Sequence, residues 1–375
     1  MGLFGTPVEA RSVSYQDVWG SGGAWPADGT YGPADAVKLS AVVACVNLRA
    51  NTIGQLPLQS FRSDGNGVAV AVSRQPALIE NPSKLPRSFW LRQMSMSRDL
   101  WGNAFGAVVG RDAAGWASAV EWLSPADVQV DENVSMGRAV VRYLGREIPL
   151  SDLLVVPGFP VPGSQFGISP LRRSGLVELS TRAQEFGRDW FRNGAVPSSI
   201  IYADRELTPA QAEGIRDRVM LSWRMRRPAV LGSGLKHEAV KVDANESQFL
   251  ATMRHAQVDI CQVFGVPPEK IGVASSGSSV TYANREQQVQ QFLVDTINAE
   301  LVLIQEVLTA EIPRPQFVRF NTGALLRSDL TTRYESYSKA ITSEFLSVDE
   351  VRGLEDLPPL PPPSSPPSGG PNDAA

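Results

Sequence analysis

Few side chains in this sequence have the types and spacing that chemistry requires. The run Val273-Ala274-Ser275-Ser276-Gly277-Ser278-Ser279 offers four hydroxyls, and only two histidines, His237 and His255, could act as a base for any of them. A serine nucleophile of the elbow kind needs glycine two residues to either side and a tight strand-to-helix turn. This run has neither, which disfavours a serine hydrolase. Gly232-Ser233-Gly234-Leu235-Lys236 lacks the spacing of a phosphate-binding loop, and no hydroxyl follows its lysine. That argues against a nucleotide-driven motor. No His-Glu-x-x-His or Cys-x-x-Cys pattern is present for zinc, the acidic residues form no evident acid-base pair, and no cofactor is implied. Cys45 and Cys261 both sit inside apolar helical patterns and read as buried, reduced thiols.

The remaining chemical signal is a basic cluster, Arg224, Arg226 and Arg227. It suits phosphate contact, but a solvated face or ion pairs at a rim explain it equally well. A net charge of −4 weighs against a sequence-independent DNA binder, because such proteins gain affinity from each phosphate their Lys and Arg neutralise. Trp101, Trp190 and Trp223 read as core or interface anchors. With 375 residues, 43% of them apolar and 20% charged, the chain suits two or three domains with a sizeable core. It shows no apolar run of membrane-spanning length and no signal-peptide pattern, so a cytosolic protein is expected at synthesis.

The elements that would position these residues follow from periodicity. The central feature is a helix over Asn245–Phe264, a glycine- and serine-rich break, and a longer helix over Asn284–Ala310. Met253, Ala256, Ile260, Cys261 and Phe264 recur every three or four residues on one face. Asn245 is placed to cap the first helix, and Gly265-Val266-Pro267-Pro268 stops it, since proline lacks the amide the next turn needs. Before this, residues 1–35 are glycine-rich with spaced aromatics and read as a flexible arm. Helices over 40–53 and 87–101 alternate with strands near 56–62, 104–109, 117–123, 128–130, 140–144 and 153–156, an α+β pattern. A further helix carries the stripe Leu176, Leu179, Ala183, Phe186, Trp190 and Phe191, with Glu178/Arg182 and Glu185/Arg188 able to pair outside and Asn193-Gly194 at its end. Thr208-Pro209-Ala210-Gln211 opens another helix, bearing Ile215, Val219, Leu221 and Trp223, and strands near 229–231 and 238–242 follow. Phe317-Val318-Arg319-Phe320 reads as a strand, then helices near 329–341 and 348–354, the second with the capping box Ser347-Val348-Asp349-Glu350. From Pro358 the chain is proline, serine and glycine and cannot build a core.

Taken in order, these features resemble the portal proteins of tailed bacteriophages, of the type found with HK97-like capsids. The resemblance rests on Ser40-Ala41-Val42-Val43-Ala44-Cys45-Val46 with Leu56-Pro57-Leu58, Leu100-Trp101-Gly102-Asn103-Ala104-Phe105, and Gly167-Ile168-Ser169-Pro170-Leu171. It continues through Phe191-Arg192-Asn193-Gly194-Ala195-Val196-Pro197, Phe264-Gly265-Val266-Pro267-Pro268, and Ser279-Val280-Thr281-Tyr282-Ala283-Asn284, and closes on Leu346-Ser347-Val348-Asp349-Glu350-Val351-Arg352 with Leu357-Pro358-Pro359. Phe105 departs from the tyrosine that many relatives carry there.

The resemblance implies a portal fold: an α/β wing over 36–167, stem helices over 168–196 and 244–265, a small α/β clip insert over 197–243, and a tunnel loop region over 266–283. It also implies a long helix returning to the wing over 284–328, a helical crown over 329–357, and a disordered proline-rich tail over 358–375. It implies a non-enzymatic homo-oligomer, a dodecameric ring at one capsid vertex of the virion, with double-stranded DNA passing through. Its partners would be the large terminase subunit, the major capsid protein and the head-completion adaptor. Val273–Ser279 would face the DNA, and Arg216, Arg224, Arg226 and Arg227 would face the terminase.

Overall fold

The computed structural model describes residues 31–65, 67–133, 138–172, 175–192, 199–204, 206–225, 234–239, 246–273, 290–324, 330–355 and 357–360. The chain divides into two compact units, Met1–Asn321 and Thr322–Ala375.

Two helices, α1 (Ser40–Gly54) and α2 (Arg87–Trp101), pack against each other at the centre of the first unit. Their apolar stripes bury Val42, Cys45, Val46 and Ile53 from one helix and Trp90, Leu91 and Met94 from the other. Strands β1 (Leu58–Ser63) and β2 (Ala69–Ala71) form an antiparallel sheet completed by the distant β11 (Gln316–Phe320), with Leu58 opposite Phe320. A second antiparallel sheet orders β4 (Ala117–Trp122), β3 (Asn103–Arg111) and β8 (Leu153–Pro157). A third orders β5 (Val128–Asn133), β6 (Arg138–Tyr143) and β7 (Arg146–Ile148). Between these last two sheets Phe105, Val128, Val141, Leu153 and Phe166 form a closed apolar cluster, with the two phenylalanine rings 6.0 Å apart. The Trp90 and Trp122 rings meet at a tilt of 35° with centroids 4.6 Å apart, and each indole N–H donates to a backbone carbonyl, of Val120 and Trp90 respectively. Trp90 is thus buried, and Trp122 half-buried, without stranding a donor.

Helices α3 (Leu176–Arg192) and α5 (Glu246–Phe264) run side by side, and α6 (Asn298–Ala310) follows a π-helical turn at Leu293–Ile297. Helix α4 (Pro209–Arg224) begins as its sequence directs, with the Gln211 side chain accepting from the Thr208 amide at 3.2 Å. In the second unit, α7 (Leu330–Thr342) is followed by α8 (Val348–Leu354). The capping box on α8 is complete: the Glu350 amide donates to Ser347 Oγ, and the Ser347 amide donates back to Glu350 Oε2.

Two expectations change. The strand after Gly234, β10 (Leu235–Ala239), starts three residues earlier than anticipated and pairs antiparallel with β9 (Ser199–Ala203), a strand the sequence did not announce; 229–231 lies outside the described residues. Ile200, Ile201 and Tyr202 carry the strand propensity, but a whole helix separates them from their partner. The packed face of α3 also differs. It buries Leu176, Val177 and Ser180, while Leu179 and Phe186 of the expected stripe are 52% and 55% exposed. The buried face is turned from the stripe by about one residue, roughly 100°. Residues 1–30, 193–198, 226–233, 245, 274–289 and 361–375, on which several expectations fall, lie outside the described residues.

Gly102 ends α2 in the left-handed conformation, φ +92°, and the backbone of residues 168–169 passes so close that a Cβ would lie 2.3 Å from the Ile168 carbonyl carbon. Gly115 has nearly the same φ, +89°, with nothing within 4 Å. Gly115→Ala is therefore expected to cost about 1–2 kcal/mol, the left-handed strain alone. Gly102→Ala adds overpacking against backbone and should cost about 1–3 kcal/mol more, read from denaturant midpoints followed by tryptophan fluorescence. Equal losses would contradict the close approach.

Candidate functional site

Several stretches that are far apart in sequence converge at one buried joint. Arg49, on the third turn of α1, is 6% exposed. Its Nε and NH2 donate to the two carboxylate oxygens of Asp99 at 2.9 and 3.1 Å, NH2 also donates to Glu300 Oε1 at 2.9 Å, and NH1 donates to the Phe264 carbonyl at 2.9 Å. Arg98, 3% exposed, ion-pairs with the other oxygen of Glu300 and donates from Nε to the Pro157 carbonyl. Two guanidiniums thus meet two carboxylates, and α1, α2, the end of α5 and α6 are joined through them. The planar fork of arginine suits this role, since one side chain can reach several acceptors in fixed directions.

Around this joint the backbone is stitched by side chains. The Asn103 amide donates to the Gly167 carbonyl at 2.7 Å and accepts from the Gly167 amide at 2.8 Å. Ser169 Oγ donates to the Asp99 carbonyl, and Ser97 Oγ to that of Asn103. Thr296 Oγ1 donates to the Gly265 carbonyl at 2.7 Å. The segments 100–105, 167–171 and 264–268, distinct in sequence, are therefore neighbours in space.

Burial pushes the Glu300 carboxyl up, but Arg98 and Arg49 outweigh it and hold the group below its usual range. For Asp99 burial prevails over Arg49 and raises the carboxyl. For Arg49 the carboxylates outweigh burial, so it stays charged. A cavity of about 150 Å³ lies beside the joint, lined by Gly158, Phe159 and Pro170 as well as the charges. Because those charges face one another, the joint fixes position; it presents no poised acid or nucleophile. Nearby, Cys45 and Cys261 bring their sulfurs to 4.0 Å as free, buried thiols, and burial raises both above the usual thiol range. Among the described residues no cluster could hold a metal, and no helix is long and apolar enough to cross a membrane.

The residues singled out in the sequence lie elsewhere. Val273 follows the turn Pro268–Ile271, its amide donating to the Pro268 carbonyl, and is half-buried; Ala274, Ser275, Ser276, Gly277, Ser278 and Ser279 lie outside the described residues. His255 is exposed on α5, 3.7 Å from Asp259 one turn on. Arg216 is exposed on α4 beside Asp217, Arg224 is the last residue of that helix, and Arg226 and Arg227 lie outside the described residues. Helix α4 also exposes Met220 and Leu221, and Met225 just beyond it is exposed as well. Sequence reasoning missed the joint, although one signal was available. Arg49 falls in the same helical register as Val42, Val46 and Ile53, and Glu300 stands between Ile297 and Leu301, so each puts a charge on an apolar face.

Small antiparallel sheets clasped to helices around a charge-neutral buried joint define a mixed α and β structural subunit. Comparison with known proteins names its family. Residues 40–356 match the family described as phage portal protein, and the chain belongs to that family. It is 30% identical to a protein of Streptomyces phage phiC31 described as a probable portal protein, over 94% of this chain and 82% of that one. Its fold matches an HK97-family phage portal protein from Corynebacterium diphtheriae with a TM-score of 0.61 and 18% identity, covering 79% of this chain and 96% of that one. A second match is a chain in the neck of a gene transfer agent particle, solved with C12 symmetry, with a TM-score of 0.56 and 19% identity over 88% of this chain and 96% of that one. A portal role at the junction of head and tail follows from this membership.

Removing one partner of the joint leaves a buried charge bare. Arg49→Met should cost about 3–5 kcal/mol, and adding Asp99→Leu should restore part of that loss. Glu300 also imposes a sign on pH. Its folded pKa lies below the unfolded value of 4.5, so the stability it contributes is present above that value and is lost as pH falls through the folded pKa. Denaturant midpoints between about pH 6 and pH 3 should fall more steeply for the native protein than for Glu300→Gln. Parallel curves would show that Glu300 is not held ionised by the arginines.

Proposed function

We propose that this portal protein assembles as a closed ring of twelve copies at one capsid vertex, and that double-stranded DNA is packaged and ejected through its centre. The observation that carries the reading is the exposed apolar face of α3, where Leu179 and Phe186 stand in solvent on a helix whose other face is packed. Such a face suits a head-to-tail contact with the next copy, and a head-to-tail contact that closes makes a ring. The C12 symmetry of the gene transfer agent neck agrees with twelve copies.

Within that ring α3 and α5 act as the stem, and residues 197–243 between them form the clip that meets the large terminase subunit and later the head-completion adaptor. Residues 36–167 form the wing, placed against the major capsid protein, and residues 329–357 the crown. The protein is a conduit, not an enzyme, and energy for DNA movement comes from the terminase. The segment Val273–Ser279 is the tunnel loop. It contains no Lys, Arg or aromatic residue, so it offers passing DNA neither ion pairs nor stacking. A channel that must let DNA slide gains from that poverty of contacts.

Two substitutions test the assignment. Arg224→Glu with Arg227→Glu should leave ring assembly intact and impair terminase docking, because rim charges govern encounter more than fold stability. Unchanged docking in a pull-down with the terminase would contradict it. Ser276→Lys would place about a dozen ammonium groups around the duplex, each able to release counterions from a phosphate. That ring should hold DNA at low salt, release it as salt rises, and package shorter lengths than Ser276→Gln, the uncharged control of similar bulk. Equal packaging by both variants at low and high salt would remove the loop from the channel.

A further inference from the structure

The two cysteines are buried nucleophiles that neither the joint nor the portal role employs. Cys45 on α1 and Cys261 on α5 are 216 residues apart in sequence, yet their sulfurs stand 4.0 Å from each other. Both are free thiols with no exposed surface. They lie on the same helix contact as the joint, since Arg49, one turn beyond Cys45, donates to the carbonyl of Phe264, three residues beyond Cys261. The flanking Val42, Val46, Ile260 and Phe264 are buried as well.

A sulfur pair this close is set for a cross-link. A disulfide spans about 2.05 Å, so the two sulfurs must close by about 2 Å. Each sulfur is carried by one rotatable bond, Cα–Cβ, and turning it sweeps the atom through a range of that size. The pairing is also unique. The chain holds two cysteines in all, and because neither reaches the surface, a folded copy offers no thiol to a neighbour. Burial raises both thiols above the usual range, and only the thiolate attacks. In the closed frame the pair is therefore slow to react, and bridging requires a brief local opening of the α1–α5 contact.

We propose that Cys45 and Cys261 are the site of a disulfide that closes within one protomer and locks α1 to α5 once the protein leaves a reducing environment. The oxidant is a small-molecule disulfide. One protein thiolate attacks it, releases one half as a thiol and forms a mixed disulfide; the second protein thiolate then displaces the other half. Two protein S–H bonds and the oxidant's S–S bond break, and one protein S–S bond forms. The two protons end on the two released thiols, and two electrons pass from the protein to the oxidant. Disulfides are rare in a reducing cytosol and persist outside it. A protein of the head–tail junction, built in a cell and carried away in a particle, meets the two settings in turn. Reduced, the contact can adjust while the subunit packs. Oxidised, α1 cannot part from α5 even when the Arg49 joint opens, and a bond closing so long a loop restricts the unfolded chain strongly. Both sulfurs belong to one protomer, so the inference does not depend on the ring.

The test incubates the purified full chain with oxidised glutathione, both in plain buffer and at a guanidinium concentration just below the unfolding transition, where local openings are frequent. Intact mass after alkylation under denaturing conditions should show both free thiols lost together, a product lighter by two hydrogens, and no glutathione retained. In non-reducing electrophoresis that product should run as a monomer of increased mobility, and dithiothreitol should reverse the change. The bridged protein should unfold at a higher guanidinium midpoint by tryptophan fluorescence. Cys45→Ala and Cys261→Ala should each lose this rise, which separates the bridge from oxidation elsewhere in the chain. Three results would overturn the proposal: free thiols persisting under both conditions, a glutathione adduct as the end product, or a bridged protein whose midpoint is unchanged or lower.

Discussion

Arg49 cannot be buried alone. Moving a guanidinium out of water costs several kcal/mol even after relaxation, and only well-placed opposite charges and carbonyls offset that. Here Asp99, Glu300 and the Phe264 carbonyl do so together, and they come from three different segments. Displacing any one of them leaves a bare charge in an apolar interior, so α1, α2, α5 and α6 must dock as a set. Arg98 and the amide of Asn103 extend the same constraint to the backbone at 157 and 167. The sheets and the apolar cluster around Phe105 are built outward from this joint.

The sealed joint contrasts with the surfaces left outside it. Leu179 and Phe186 on α3, and Met220, Leu221 and Met225 around the end of α4, are large apolar side chains in solvent on a single protomer. Individually exposed leucines are ordinary, but repeats on one helix face suit partners. The proposed ring needs both qualities: a rigid frame, and faces finished only by its neighbours. Under the proposed function, the absence of Lys, Arg and aromatic residues from 273–279 would add a third, a lining that does not grip.

Much of this was legible in the sequence, because local rules govern it. The extent of α2 came from apolar spacing, and the stop after Phe264 and the capping box at Ser347 from turn and cap chemistry, none of which needs knowledge of distant contacts. What escaped was long-range. Nothing near Ser199–Ala203 announces a partner beyond an intervening helix, and nothing near Cys45 points to Cys261. The α3 stripe misled for a physical reason: its most apolar face is not the one its own protomer buries, since Ser180 and the small Gly187 permit the closer approach. The charge network was half visible, as charges out of register on apolar faces, but their pairing is tertiary. The family resemblance supplied the overall reading precisely where periodicity has no reach, in assembly and partners.

The most direct measurement is cryo-electron microscopy of the purified protein, without DNA or nucleotide. The account requires closed rings with an open centre in which Leu179 and Phe186 of each copy are buried against the next. Monomers or open chains across salt conditions, or rings that leave both side chains in solvent, would contradict it.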